Sequence, residues 1–286
     1  MTSYTLGVLG GSGLYRMEGL SGVTELEVDT PYGKPSDVLV KGTMPNGTTI
    51  VFLPRHGRGH RIAPHQINYR ANICALKKVG ATHLVSVSAV GSMKEEIAPG
   101  HLVCPDQFID LTKKRASTFF DDGVVGHVMF ADPTCKLLRG ALEDAADTTG
   151  AKVHRGGVYT CVEGPQFSTR AESMLYRTWG VSIIGMTAMP EAKLAREAEL
   201  PYATLSLATD YDCWHAHHEA VTIDQVITTM NANIALARKT LVALSGMLPD
   251  PTKSVAHQAA KTAVMTSPDA IGEEARARLS WLMSFA

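Results

Sequence analysis

Six short runs of this chain are apolar almost from end to end: TLGVLG (5–10), TIVFLP (49–54), THLVSVSAV (82–90), GGVYTCVEG (156–164), VSIIGMT (181–187) and YATLSLATD (202–210). A strand with one wet face alternates polar and apolar residues, whereas a strand covered on both faces has no polar side. Runs of this kind demand helices above and below them. Helical stretches lie between: NYRANICALKKVG (68–80), closed by Gly80, TRAESMLYRTWG (169–180), and PEAKLAREAEL (190–200), with proline in its first turn. The longest is TIDQVITTMNANIALARKTLVAL (222–244), where Ile223, Val226, Ile227, Met230 and Ile234 recur three or four residues apart. This alternation predicts an α/β fold: a single domain with a mostly parallel, mixed central β-sheet flanked by helices. The first linker-like stretch is LPDPTKS (248–254). The expected division is a domain over 1–247 and a C-terminal helical tail over 248–286, packed on the same domain or on a neighbouring subunit.

The bulk properties narrow the partners. The 286 residues carry a formal net charge of −1, which gives no general attraction to nucleic acid or to an anionic membrane. Five cysteines (Cys74, Cys104, Cys135, Cys161, Cys213) are scattered without CxxC spacing. An odd, dispersed set reads as reduced thiols in a cytoplasmic protein. The first residues lack a basic signal-peptide start, and no run reaches the ~18–20 apolar residues of a membrane span.

Polar residues gather where the apolar runs end. After the first run come Gly10, Gly11, Ser12 and Gly13. Their order, G-x-x-G-G-x-G counted from Gly7, does not fit the dinucleotide fingerprint, and no lysine follows as a P-loop requires. What remains suits a small oxyanion on backbone N–H groups and the Ser12 hydroxyl; a turn that merely reverses the chain reads equally well. LPRHGRGH (53–60) offers Arg55 as a planar fork for an anion and His56 as a donor beside it. VSVSAVGS (85–92) offers Ser88, and GMTAMPE (185–191) offers Met186 and Thr187. Four polar exits from one sheet point to a ligand at the strand ends. In ATDYDCW (208–214), Asp210 and Asp212 are two apart, so an extended chain turns both to one side. Solvated loop aspartates are the plainer reading of that pair in isolation. His215, His217 and His218 crowd into four residues and cannot all face one ion, so no metal site is read there.

Taken as a set, GGSGLY, VDTPYGKPSD, RHGRGH, NYRANICALK, SAVGSMKEEIAPG, DQFIDLTKKRASTF, EGPQFSTRAE and MTAMPEAKLAREAELPYATLSLATDYDCW resemble the 5′-methylthioadenosine phosphorylases. These belong to the trimeric class of purine nucleoside phosphorylases. The resemblance is nearly collinear from Thr5 to about Leu244 and weakens in the tail. It implies the nucleoside phosphorylase fold, and phosphate held by Ser12, Arg55, His56, Ser88, the Ala89 backbone and Thr187. The family often has threonine where Ser12 and Ser88 stand; serine keeps the hydroxyl and lacks the methyl. Met186 would lie against the ribose, Phe167 and Ser168 would wall the base pocket, and Asp210 and Asp212 would face the purine edge. The 5′-methylthio group would enter an apolar pocket of His60, Ile223, Val226 and Ile227, with His127 supplied by the adjacent subunit of a homotrimer. No metal and no organic cofactor are implied; inorganic phosphate is a co-substrate.

Those residue types fit phosphorolysis. An anionic nucleophile stabilises the cationic sugar as the N-glycosidic bond breaks. Asp210 is the expected acid, or strong hydrogen-bond partner, at purine N7. A carboxylate accepts from both the 6-amino group and a protonated N7, which favours 6-amino purines over 6-oxo ones.

Overall fold

The computed structural model describes residues 4–284, apart from Ser12, residues 15–16 and 216–222, and the side chains of residues 223–228. In chain order the strands are β1 (Thr5–Gly10), β2 (Ser21–Leu26), β3 (Leu39–Thr43), β4 (Thr49–Pro54), β5 (His83–Ser92), β6 (Leu102–Cys104), β7 (Gln107–Asp110), β8 (Val153–Arg155), β9 (Val158–Cys161), β10 (Ile183–Gly185) and β11 (Tyr202–Asp210). The helices are α1 (Tyr69–Lys78), α2 (Lys136–Asp147), α3 (Arg170–Thr178), α4 (Ala188–Glu197), α5 (Ile223–Ser245) and α6 (Glu273–Leu279).

The strands form one mixed sheet in the order β2-β3-β4-β1-β5-β10-β9-β7, and β11, β6 and β8 continue from a second branch at β5. β1 runs parallel to β4 and β5, and β5 parallel to β11. Only the far end of β5 meets β10, and there the pairing is antiparallel. The two-residue period of the central strands divides the core between two faces. Leu9, Val51, Leu53 and Leu84 go to the face covered by α1 and α4. Val8, Ile50, Phe52, Val85, Leu205 and Leu207 go to the face covered by α2 and α5. Both sets are buried, which is why these runs have no polar side.

Local signals set the ends of the helices. Asn68 caps α1 by accepting from the Ala71 N–H at 3.1 Å, and Thr169 caps α3 in a reciprocal box with Glu172. α4 begins at Ala188, two residues before the proline expected to open it, and Thr187 stands at its N-cap with its hydroxyl making no cap bond. The sequence reading passed over α2, whose Leu138, Leu142, Ala145 and Ala146 form a buried stripe. It also missed β2, β3, β6, β7 and β8. β2 is exposed almost throughout and is a strand through its pairing with β3, so its side chains carry no burial pattern to read. Among the described residues no helix is long and apolar enough to cross a membrane.

The tail packs against this chain. Ala260, Ile271, Ala275 and Leu279 are buried in the α1/α4 face of the core. Trp281 sets its ring edge against Phe119, with centroids 4.9 Å apart. α6 is its one α-helix among the described residues; the rest is short 3-10 turns and irregular chain. Leu279→Ala should lower the stability of the whole protein by about 2–5 kcal/mol, read from the midpoint of denaturant unfolding. An unmoved midpoint would show that the tail adds nothing to the core.

Candidate active site

The ends of β1, β4, β5, β9, β10 and β11 open into one cavity of about 580 Å³. Its walls gather most of the residues singled out from the sequence: Arg55, His56, His60, Ser88, Ala89, Phe167, Ser168, Met186, Thr187, Asp210 and Asp212, with Gly11 from the glycine turn. Ser12 and the side chains of Ile223, Val226 and Ile227 lie outside the described residues, although Met230 of α5 does line the cavity. His127 does not line it; its N–H donates to the Ala263 carbonyl beside the tail.

One part of the wall carries the residues expected to hold an anion. The hydroxyl oxygen of Thr187 is buried with no hydrogen-bond partner among the described residues, and that of Ser88 is buried beside the Tyr159 hydroxyl. The hydroxyls of Thr160, Thr204 and Ser206 are buried without partners as well, so what distinguishes Ser88 and Thr187 is that they line the cavity, where a ligand could take their hydrogens. The fork of Arg55, expected to face the anion, faces Glu191 instead. Nε donates to one carboxylate oxygen and Nη2 reaches the other at 3.1 Å. Further bonds run from Nη2 to Ser86 Oγ at 2.7 Å and to the Leu9 carbonyl, and from Nη1 to the Val87 carbonyl. Of five guanidinium hydrogens, one on Nη1 remains. At 2% exposure, Arg55 is an internal ion pair before it is an anion ligand.

His56 also departs from expectation. Nδ1 lies 2.8 Å from the Ile62 carbonyl oxygen, and a carbonyl only accepts, so Nδ1 carries the hydrogen. Burial and the neighbouring Arg55 charge pull its pKa down to about 4, which keeps the ring neutral at pH 7. Nε2 is then an acceptor, not the donor expected from the sequence. His60, in a left-handed conformation at φ +54°, stacks on this ring at 4.2 Å.

The carboxylates come together through a bulge and a turn, rather than through the pleat of an extended strand. Ala208 pairs with Val90 and Asp210 with Gly91, so Thr209 is an extra residue in β11. Bulges bend a strand and re-aim the side chains that follow. Asp212 then adopts φ +51°, and its N–H donates back to Asp210 Oδ1 at 2.8 Å. Thr209 Oγ1 lies 2.7 Å from Asp210 Oδ2, and Ser173 Oγ donates to Asp212. Burial raises the pKa of both carboxyls above the usual range; the hydrogen bonds from Thr209 and from the Asp212 N–H pull Asp210 the other way. A Cβ at Gly91 would stand 3.0 Å from Asp210 Oδ1, tight enough to push the carboxyl aside.

Met186 is held from two sides. Arg115 Nη1 donates to its carbonyl at 2.7 Å, and a side chain at Gly164 (φ +66°) would strike its sulfur at 2.5 Å. Ser168 sits beside Cys213, while Phe167 is 67% exposed at the rim.

Sequence reasoning missed Glu191, Arg115, Thr209 and Ser173. Glu191 falls in the first turn of α4, where an acid ordinarily answers the helix dipole and faces water. Its burial could be read only from the apolar neighbours of MTAMPEAKLA. Removing one partner of a buried ion pair strands the other, so Arg55→Met should cost about 3–5 kcal/mol of stability. Pairing it with Glu191→Leu should recover much of that loss. Denaturant midpoints of the single and double variants check this, and a single variant as stable as the parent would refute the ion-pair assignment.

Comparison with known proteins agrees with this geometry. Residues 5–245 match the model of the Phosphorylase superfamily. An S-methyl-5′-thioadenosine phosphorylase of Geobacter sulfurreducens is 53% identical over 97% of this chain and 97% of its own. One from Chloroflexus aurantiacus is 50% identical over 98% of this chain and 97% of its own. Among solved structures, a methylthioadenosine phosphorylase from an antarctic soil metagenomic library superposes with a TM-score of 0.93. It is 46% identical and covers 99% of this chain and 100% of its own. With its strand-end cavity and matches of this length, the chain is a member of the phosphorylase superfamily.

Proposed function

We propose that the protein cleaves the N-glycosidic bond of 5′-methylthioadenosine with phosphate, giving adenine and 5-methylthioribose 1-phosphate. It is a pentosyltransferase. The observation that carries this reading is the cavity itself, which joins the buried hydroxyls of Ser88 and Thr187 to the carboxyl of Asp210. Phosphate on the hydroxyls, with Ser12 and the remaining Arg55 hydrogen, attacks C1′ and stabilises the cationic sugar. The purine leaves as neutral adenine when N7 is protonated, and burial keeps the Asp210 carboxyl inclined to hold the proton that this step uses. Met186 borders the ribose, Phe167, Ser168 and Asp212 the base, and His60 the 5′ group. Relatives bearing the name S-methyl-5′-thioadenosine phosphorylase and a methylthioadenosine complex of a Schistosoma mansoni variant enzyme support the choice of nucleoside.

The finer assignments belong to the same proposal. Ile223, Val226 and Ile227 line the methylthio pocket, and His127 reaches it from a neighbouring subunit. Phe167, Met174, Leu175 and Trp179, exposed on α3 or just outside its ends, are apolar surface that a homotrimer would cover, as is Met129 near His127. The reaction needs no metal and no organic cofactor, runs in the cytoplasm, and returns purine and methionine precursors to salvage.

Omitting phosphate should abolish cleavage of methylthioadenosine; undiminished cleavage would make the protein a hydrolase. Asp210→Asn should lower turnover of methylthioadenosine by at least about 10²-fold, the lower bound for losing a general acid. Methylthioinosine should suffer much less, because an amide can donate to its 6-oxo group. Assays of both nucleosides beside a thermal melt check this, and equal losses would remove Asp210 as the reader of the base.

A further inference from the structure

The tautomer of His56 bears on which ionic form of the co-substrate the cavity takes. Three observations bear on what the ring presents. First, Nδ1–H is held by the Ile62 carbonyl at 2.8 Å, and the Ile62 N–H returns to the His56 carbonyl at 3.0 Å, closing the 56–62 loop on itself. Second, the His60 ring lies on His56 at an interplanar angle of 19°, which opposes rotation of the imidazole. Third, His56 lines the cavity and no hydrogen bond reaches its Nε2 among the described residues. A neutral ring held this way offers the cavity a lone pair.

A bare oxyanion meets that lone pair as a repulsive neighbour. The titratable groups around the ring, Arg55, Arg115 and the stacked His60, all disfavour a second proton on it, while Arg55 is itself paired with Glu191 and Arg115 with Glu163. We propose that the oxyanion is bound in a protonated form, with its own hydroxyl donating a hydrogen bond to His56 Nε2. The ionised oxygens then take the hydroxyl hydrogens of Ser88 and Thr187, and one of them is left to attack the sugar. No proton is transferred in this step; the hydrogen stays on the anion. The inference rests on the phosphorolytic reading above and adds to it the species that binds.

Phosphate and arsenate carry at least one hydrogen at neutral pH, and sulfate carries none. Sulfate should therefore compete with phosphate with an apparent affinity about tenfold or more weaker, while arsenate competes on equal terms. In protein labelled with ¹⁵N-imidazole histidine, the His56 Nε2 resonance should keep the position of an unprotonated ring nitrogen when phosphate is added. Conversion of Nε2 to a protonated nitrogen on adding phosphate, or sulfate binding as tightly as phosphate, overturns the proposal. Phosphate-dependent cleavage is measured on the same samples. Its absence would strike the phosphorolytic reading, whereas its presence with a protonated Nε2 would strike this inference alone.

Discussion

A buried ion pair ties the centre of this protein together. Arg55, at the end of β4, meets Glu191 of α4 across 136 residues of sequence. The same guanidinium holds the Leu9 carbonyl of β1 and the Ser86 hydroxyl and Val87 carbonyl of β5, and Tyr202 of β11 approaches Glu191 at 3.4 Å. Taking two charges out of water is costly, and only this full set of partners offsets it. The strands that form the cavity thus meet at a junction that tolerates little displacement. Their ends are fixed relative to one another before any ligand arrives.

Around that junction several polar groups face the cavity incompletely satisfied by the described residues. Thr187 keeps a buried hydroxyl without a partner among them, Ser88 one that meets only Tyr159, His56 a ring nitrogen that none of them bonds, and Asp210 a carboxyl whose burial opposes its charge. Each costs stability, and a ligand carrying complementary groups would relieve it. Preorganisation of this kind lets the site stabilise developing charge without rearranging first.

The bulge at Thr209 shows how small a device can set a function. Without the extra residue, the last side chains of β11 would continue the strand's alternation. With it, the chain bends, Asp210 comes beside Gly91, and the Asp212 N–H closes back onto its carboxyl. A pair of aspartates two apart marked the place in the sequence, but the geometry expected for them was that of a straight strand.

The central strands and most of the helices were legible in the sequence because their signals are local. β1, β4 and β11 fall on the residues their apolar runs predict, and Asn68 and Thr169 cap helices that their own spacing announces. The strand-end residues were legible for the same reason, since glycines, hydroxyls and charges interrupt those runs. Only tertiary structure decided the rest. β2 exists through its pairing with β3, and the role of Glu191 through an arginine far away in sequence. The Ile62 carbonyl sets the tautomer of His56, and a register shift against β5 sets the aim of Asp210. A periodic pattern states which face of an element is buried. It does not state which polar group waits on the other side, and hydrogen-bond partners and desolvation, which fix fork direction, tautomer and acidity, come from that side.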